Sequence, residues 1–329
     1  MWTRHLIIPA IGMIMVGCSA DDTPTTPDLA VPDLALQDSP ETLSQSASDD
    51  AVAKTTTQGW LTVRTVGAGP DVILIPGLAS SASVWDGTVV ALSGDYTLHV
   101  AQVAGFAGAP VGEDRDNFVA GLAGDLADYI IEQDLQRPHI VGHSLGGFTA
   151  LHVARDHPDL VGGVTSVDSL PFYPLIFDPN VTAESVAPQA AAMADQMRSM
   201  PDAQFDAMQA QTSAMMSKTP SAQARIKADS NATDRDAMAD AMLDLMTSDL
   251  RGDLADIDVP VTVIYAHDPS MGVPAAQVDA MYSKAYADLP DATLTRIDGS
   301  YHFIMDDQPD AVLATLSQQL ENDTGDKND

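Results

Sequence analysis

The sequence predicts an α/β fold in which a mostly parallel central sheet is flanked by helices on both faces. Short runs rich in Val, Ile and Leu alternate along the chain with segments whose apolar residues recur at helical spacing. A continuous apolar run is typical of a strand buried on both faces of a sheet. Because parallel strands need long crossover connections, the helical segments between these runs are expected to connect them.

The predicted elements follow in chain order. The first strand covers residues 60–66, where apolar and polar residues alternate before a Gly67-Ala68-Gly69 turn. Later strands are short apolar runs, expected at residues 71–75, 96–103, 137–141, 160–167, 259–265 and 292–297. Helices are predicted from apolar residues at helical spacing, at residues 117–132, 144–157 and 309–320.

One stretch breaks the alternation of strands and helices. Residues 183–250 carry no strand pattern and are dense in Ala, Met, Gln and Asp. Met238, Met242 and Met246 recur at four-residue spacing, which places them on one face of a helix. Several amphipathic helices inserted between two strands are therefore expected.

The N-terminal segment predicts export. An apolar run at residues 6–16 fits a secretory signal and is too short to span a bilayer comfortably. It is followed by Cys18, the single cysteine of the chain, in a context that resembles a bacterial lipoprotein signal. That resemblance implies a signal peptide at residues 1–17 and lipidation of Cys18. Residues 18–57 are rich in Asp, Thr, Ser and Pro without a sustained apolar period, which predicts a flexible tether. The protein would be anchored to the cell envelope and face the periplasm of a Gram-negative bacterium; the alternative is an ordinary signal peptide with a chance cysteine.

The charge balance excludes one class of partner. The chain has 15 Lys and Arg against 47 Asp and Glu, a net charge of -32. No segment concentrates enough positive charge to neutralise a phosphate backbone, so nucleic-acid binding is not expected. The surplus of Asp indicates a strongly hydrated surface, for which a saline habitat is one explanation.

The sequence contains no clustered metal-ligand pattern and no phosphate-binding loop. Therefore no metal or cofactor is predicted.

A chemically informative motif lies between a predicted strand and a predicted helix. Gly142-His143-Ser144-Leu145-Gly146 has the G-x-S-x-G pattern, which at a sharp strand-to-helix turn exposes the serine hydroxyl. Glycines at both ends allow neighbouring backbone to approach closely. Because the N-terminus of the following helix favours negative charge, the motif predicts that Ser144 is a nucleophile.

In this context the chain resembles the α/β-hydrolase fold family over roughly residues 60–320. The segment containing Leu78 is similar to the family's oxyanion loop, which implies that the backbone amides of Leu78 and Leu145 hold the oxyanion. The loop after the last strand resembles the family's histidine loop, which implies that His302 is the general base.

The acid of the implied Ser-His-Asp triad has two candidates. Asp268 follows the strand after which the family's acid usually lies, and it comes between Ser144 and His302 in the family's chain order. Asp168 follows the strand that ends at Val167, a position that some family members use. Asp268 is the expected acid and Asp168 is the alternative.

The resemblance also implies a helical cap over the nucleophile. Phe172, Tyr173 and Phe177 begin this insertion and are expected to line an apolar substrate pocket near Ser144. The predicted division of the chain is a hydrolase core at residues 58–169 and 257–321, a cap at residues 170–256 and a disordered tail at residues 322–329.

The implied activity is hydrolysis of an ester-type bond in a small to medium apolar substrate through an acyl-enzyme intermediate. Lactones, amides and carbon–carbon bonds remain alternative targets, as does a catalytically inactive, lipid-anchored binding protein on the same fold. A structural envelope protein is a further alternative. Dehalogenases and epoxide hydrolases are disfavoured, because those relatives carry Asp where this chain has Ser144. The expected partners are a small ester and, through acylated Cys18, a lipid membrane.

Overall fold

The structure is a computed structural model that describes residues 54–112 and 117–325. The predicted signal peptide, Cys18 and most of the predicted tether lie outside the described residues. Among the helices of the described ranges, none combines the length and the apolar character needed to cross a membrane.

The strands of the described ranges form one sheet in the order β1-β2-β4-β3-β5-β6-β7-β8. Their bounds are β1 Lys54–Gln58, β2 Leu61–Gly67, β3 Asp71–Ile75, β4 Thr97–Val103, β5 His139–His143, β6 Gly163–Val167, β7 Val261–His267 and β8 Ala292–Asp298. Strand β2 pairs antiparallel with β1 and β4, and every other neighbouring pair is parallel. The predicted α/β fold with a mostly parallel sheet is confirmed.

Helices connect the parallel strands and pack on the sheet. Their bounds in the described ranges are α1 Asp86–Leu92, α2 Phe118–Glu132, α3 Leu145–Asp156, α4 Ala183–Ser199, α5 Asp202–Met216, α6 Pro220–Ala232, α7 Arg235–Thr247, α8 Ala275–Ala285, α9 Ile304–Asp307 and α10 Pro309–Gly325.

Strand β3 shows why its apolar run is continuous. Ile73 and Ile75 point into a core cluster that includes residues of α2 and α3. Val72 and Leu74 point to the opposite face, into a cluster that includes residues of α1 and α10. Successive side chains of a strand alternate between faces, so a sheet covered by helices on both sides requires apolar residues at every position.

The helices α4 to α7 lie between β6 and β7 in the chain. Helix α4 begins at a capping box, in which the Thr182 side chain accepts from the Ser185 amide and the Ser185 side chain accepts from the Thr182 amide. Helices α4 and α7 pack together, and Met197 and Met238 belong to a small apolar cluster between them. These helices therefore form a layer with its own contacts, above the carboxyl ends of the strands.

Two predicted segment boundaries are wrong. The tether was expected to continue to residue 57, but residues 54–57 belong to β1, which pairs with β2 through Lys54↔Thr65 and the positions that follow. The tail was expected to begin at residue 322, but α10 continues to Gly325. Both segments are polar, and their backbone hydrogen bonds hold them in regular structure without an apolar face to reveal it.

Candidate active site

The sharp turn at Ser144 joins β5 to α3. Ser144 has φ 52° and ψ -116°, a strained backbone conformation for a residue with a side chain, and its amide donates to the Val167 carbonyl at 2.8 Å. A Cβ placed on Gly142 would lie 2.2 Å from the carbonyl carbon of Gly146. The turn therefore depends on glycine on both sides of the serine.

The loop that follows β3 lies directly against this turn. A Cβ on Gly146 would lie 2.4 Å from the Ile75 carbonyl oxygen, and a Cβ on Gly77 would lie 3.1 Å from Ser144 Cβ. Leu78, the next residue of this loop, lines a cavity beside Ser144, and Leu145 is the first residue of α3. The segments that carry the Leu78 and Leu145 amides are thus neighbours at the serine.

His302 lies in the loop between β8 and α9. The loop starts at Gly299, whose φ of 82° suits glycine and whose amide donates to the His267 carbonyl at 2.7 Å. The imidazole is buried, and it lines the same cavities as Ser144. His143 Nε2 donates to the His302 carbonyl at 3.1 Å, which fixes the backbone of the loop next to the serine.

The carboxylate in contact with His302 belongs to Asp168, directly after β6. Asp168 Oδ2 lies 2.7 Å from His302 Nδ1. Asp168 Oδ1 accepts from the Ala266 amide at 2.9 Å and from the Tyr282 hydroxyl at 3.1 Å. Burial, followed by the charge of Asp168, raises the pKa of Tyr282 well above its ordinary value, so the hydroxyl remains a donor. Both carboxylate oxygens are therefore fixed.

The expected contact between Asp268 and His302 is wrong. Asp268 Oδ2 accepts from Lys218 Nζ, and Asp268 Oδ1 accepts from the Ser270 amide at 2.8 Å. The bond from Lys218 first, then one from the Ser270 hydroxyl and that from the Ser270 amide, lower the pKa of Asp268 to about 2. The physical reason is local, since Asp268 caps the short turn Pro269–Met271 and its side chain folds back onto that turn.

Two cavities meet at the serine in the described part of the chain. Both are lined by Ser144, His302, Tyr173 and Leu245. The first cavity has a volume of about 80 Å³ and the second about 50 Å³, and each is partly open to solvent. The further apolar lining of the first cavity includes Leu78, Met197, Met208, Met216, Ile226, Met238 and Met242. That of the second includes Leu170, Ile176, Ala266, Met271, Val273, Val278 and Met281.

The family follows from a comparison with known protein families. The model of the alpha/beta hydrolase family matches residues 72–315, which is more than half of the chain. The chain belongs to the alpha/beta hydrolase family.

Individual relatives of this alpha/beta hydrolase include proteins with different reactions. It is 32% identical over 113 residues to pimeloyl-[acyl-carrier protein] methyl ester esterase of Aeromonas hydrophila, and the match covers 34% of this chain and 43% of that protein. It is 32% identical over 111 residues to fluoroacetate dehalogenase of a Burkholderia species, covering 32% of this chain and 36% of that protein. The hydrolase thus spans less than half the length of these curated relatives.

Solved structures share the fold over a larger part of the hydrolase. The enol-lactonase of Burkholderia xenovorans LB400 matches with a TM-score of 0.64 at 21% identity, covering 79% of this chain and 96% of that one. A thermophilic esterase from Thermogutta terrifontis matches with a TM-score of 0.69 at 17% identity, covering 82% and 99%. At these identities the likeness concerns the fold.

The three aromatic residues that were expected to line the pocket of this hydrolase lie in different environments. Tyr173 lines both cavities at Ser144. Phe172 lines neither, because its ring is fully buried beneath the Arg251 guanidinium, 4.7 Å away. Phe177 is 52% exposed and lines depressions that do not include Ser144. The prediction was therefore wrong for Phe172 and Phe177.

The loop between α5 and α6 and the His302 loop share a carboxylate as a hydrogen-bond partner. Asp307 accepts from the Ser217 hydroxyl at 2.7 Å, from the Lys218 amide at 3.0 Å and from the Tyr301 amide at 3.0 Å. Sequence reasoning missed this residue and Tyr282. Neither residue lies in an element predicted from the sequence, and the sequence gives no sign of their distant partners.

Proposed function

We propose that this alpha/beta hydrolase cleaves an ester-type bond of a small to medium apolar substrate through an acyl-enzyme intermediate on Ser144. The observation that carries the proposal is the 2.7 Å contact between His302 Nδ1 and Asp168, made by an imidazole that lines the same cavities as Ser144. An imidazole held at Nδ1 presents Nε2 as a proton acceptor. Asp168 therefore takes the role that the sequence favoured for Asp268.

In the first half of the reaction His302 Nε2 accepts the Ser144 proton while Oγ attacks the carbonyl carbon. The carbonyl oxygen becomes an oxyanion, for which the Leu78 and Leu145 amides are the proposed donors; one such donor is typically worth about 3 kcal/mol of barrier. Collapse of the intermediate breaks the bond to the leaving group. His302 returns its proton to that group, and the acyl chain stays on Ser144.

In the second half a water molecule attacks the acyl-enzyme. His302 accepts a proton from the water, and the new oxyanion occupies the same pair of amides. Collapse breaks the bond to Oγ, and the proton from His302 restores the serine hydroxyl. The products are a carboxylic acid and a free Ser144, and Asp168 stabilises the imidazolium at each step.

The lining of the site supports an apolar ester. Met, Leu, Ile and Val side chains predominate in both cavities, and Met adapts to substrates of different shape. Two cavities that meet at the serine suit a substrate with an apolar group on each side of the scissile bond. The similar proteins include a methyl ester esterase, an enol-lactonase and a thermophilic esterase, and these names describe reactions on ester-type bonds.

A substrate panel tests the proposal. We expect turnover of acyl esters of short to medium chain length and labelling of Ser144 by a fluorophosphonate, with both lost in Ser144→Ala and in heat-denatured protein. Turnover of lactones, amides or carbon–carbon bonds without turnover of esters would replace the substrate class. No labelling of the native protein would favour a binding protein without activity.

We also propose export and attachment to the envelope through acylated Cys18, a residue outside the described ranges. The apolar run before it and its position as the single cysteine support this proposal. Cells fed a radioactive fatty acid should label the protein, and Cys18→Ala should not be labelled. Equal labelling of both, or of neither, would leave only an ordinary signal peptide.

A further inference from the structure

Most of the first cavity is apolar, but helices α5 and α6 contribute polar groups to its wall. Gln209 and Thr212 lie one turn apart on α5, and Ser230 lies on α6. Gln209 is 6% exposed and Ser230 is 7% exposed. These residues belong to helices inserted between β6 and β7, whereas Ser144 and His302 belong to the loops that follow sheet strands.

The Gln209 carboxamide lacks a partner. Within residues 54–112 and 117–325 its side chain makes no hydrogen bond, and the hydroxyls of Thr212 and Ser230 make none either. Ser213, the next buried residue on the same face, differs in that its hydroxyl donates to the Ala210 carbonyl at 3.1 Å. The Gln209 amide atoms are not among the fully buried atoms that lack a partner, so they are accessible from the cavity that Gln209 lines, where a ligand or water can complete them.

The residues that line the first cavity also indicate the charge of the ligand group that would bind Gln209. No Asp, Glu, Lys or Arg of the described residues lines the first cavity, so an ionised group there would lack a counter-charge. A carboxamide both donates and accepts, and therefore suits a neutral oxygen such as a ketone, ester carbonyl or hydroxyl.

We propose that Gln209, with Thr212 and Ser230, binds an uncharged oxygen-bearing group of the substrate, several bonds away from the ester that Ser144 attacks. This specificity rests on the proposed function, which supplies its kinetic readout. The preferred substrate is then an ester whose apolar chain carries a distal carbonyl or hydroxyl, and a plain alkyl chain leaves the Gln209 amide unpaired. Such an unpaired group is what makes a site reject the analogue that lacks the polar atom.

The test compares an octanoyl ester with oxo-octanoyl esters whose ketone is moved one carbon at a time along the chain. For wild type we expect kcat/KM to peak at one ketone position, about tenfold above the plain chain, the size of one hydrogen bond. Gln209→Leu should abolish the peak and raise kcat/KM for the plain octanoyl ester. Gln211→Leu, at an exposed position of the same helix, should retain the peak. Acetate esters of octanol and oxo-octanols repeat the test with the chain on the alcohol side.

Absence of a peak in both series, or an unchanged peak in Gln209→Leu, would overturn the inference. Calorimetric binding of the matched methyl esters to Ser144→Ala gives a second readout that needs no turnover. Suppose that wild type hydrolysed no ester, but that Ser144→Ala bound the oxo methyl ester about tenfold more tightly than the plain methyl ester, and that this difference depended on Gln209. The ester hydrolase proposal would then fail, and this inference would stand. Hydrolysis without any dependence on Gln209 would give the reverse result.

Discussion

At the scale of single residues, the hydrogen-bond partners of two aspartates, Asp168 and Asp268, show which of them contacts His302. Asp168 holds His302 Nδ1 and is fixed by the Ala266 amide and the Tyr282 hydroxyl. Asp268 instead pairs with Lys218, whose side chain is 41% exposed. A carboxylate that orients the imidazole proposed as the general base should affect the proposed reaction directly, whereas an ion pair with a solvated lysine contributes little.

Asp168→Asn should therefore lower kcat/KM for ester hydrolysis by roughly 10³–10⁴-fold, because an amide in this position favours the wrong histidine tautomer. Asp268→Asn should stay within about threefold of wild type, since it removes only a partly exposed ion pair. Initial rates on a short-chain ester measure both. Retained turnover in Asp168→Asn together with loss in Asp268→Asn would return the role to Asp268.

A buried histidine on α3 gives a prediction about pH and stability. Burial, followed by the charge of Arg155, lowers the pKa of His152 to about 4, and its Nε2 has no hydrogen-bond partner among the described residues. The unfolded chain, with a pKa near 6.5, binds the proton first as the pH falls. The folded state is then disfavoured progressively between about pH 6.5 and pH 4.

His152→Phe keeps a ring beside Phe148 and removes this titration. From about pH 7 to pH 5 its free energy of unfolding should fall by about 1–2 kcal/mol less than that of wild type, as measured by urea denaturation. Above about pH 7 the two curves should run parallel, because His152 is neutral in both states. An equal loss in both proteins between pH 7 and pH 5 would contradict the assigned titration.

The residues of the site differ in how far the sequence could predict them. Ser144 and His302 lie in loops whose local patterns are distinctive, and the structure brings them to the same cavities. Asp268 was expected to contact His302, and Asp168 does so instead; both residues follow buried strands, so their position after a strand does not separate them. Asp268-Pro269 is a helix-start signature that could have indicated a capping role.

At the scale of elements, glycines at different helix positions have opposite consequences. Gly146, in the first turn of α3, lies so close to the loop after β3 that a Cβ would be 2.4 Å from the Ile75 carbonyl oxygen. Gly124 lies on the exposed face of α2, where an added Cβ meets no atom within 4 Å. One glycine is required by packing, and the other only adds backbone freedom to the unfolded chain.

Gly124→Ala should raise the free energy of unfolding by about 0.5–1 kcal/mol, the helix propensity difference, with activity unchanged. Gly146→Ala should lower it by about 3 kcal/mol or more and reduce activity, because the two proposed oxyanion segments are forced apart. Denaturant unfolding and ester turnover measure both variants. Wild-type stability and turnover in Gly146→Ala would show that α3 tolerates displacement from the loop.

The elements of the core were more predictable than its edges. Strands such as β3 contact apolar layers on both faces, so their sequences are continuous apolar runs. Strand β1 is an edge strand with the sequence Lys-Thr-Thr-Thr-Gln, held by backbone pairing to β2, and it gives no apolar signal. The buried positions of α5 include the polar residues Gln209 and Ser213 beside Phe205, so apolar periodicity does not predict which face of this helix is buried.

At the scale of the whole molecule, negative charge dominates. Many cations of the described ranges already contact a carboxylate, namely Arg64, Arg155, Arg198, Lys218, Arg225, Lys227, Arg235, Arg251 and Arg296. Even if each of the 15 Lys and Arg neutralised one of the 47 carboxylates, a net charge of -32 would remain. Folding brings these charges together, so repulsion between them opposes the compact state.

Salt should therefore stabilise this protein. Raising NaCl from about 0.1 M to about 1 M shortens the Debye length from about 10 Å to about 3 Å, which screens the repulsion between unpaired carboxylates. The same salt weakens the surface ion pairs, but each of these is worth only about 0–1 kcal/mol and the unpaired carboxylates outnumber them. At neutral pH we expect the free energy of unfolding to rise by about 1–2 kcal/mol. Near pH 4, where roughly half of the carboxylates are protonated, the rise should shrink. A stability that is flat or falls with NaCl at neutral pH would mean that the ion pairs outweigh the net repulsion.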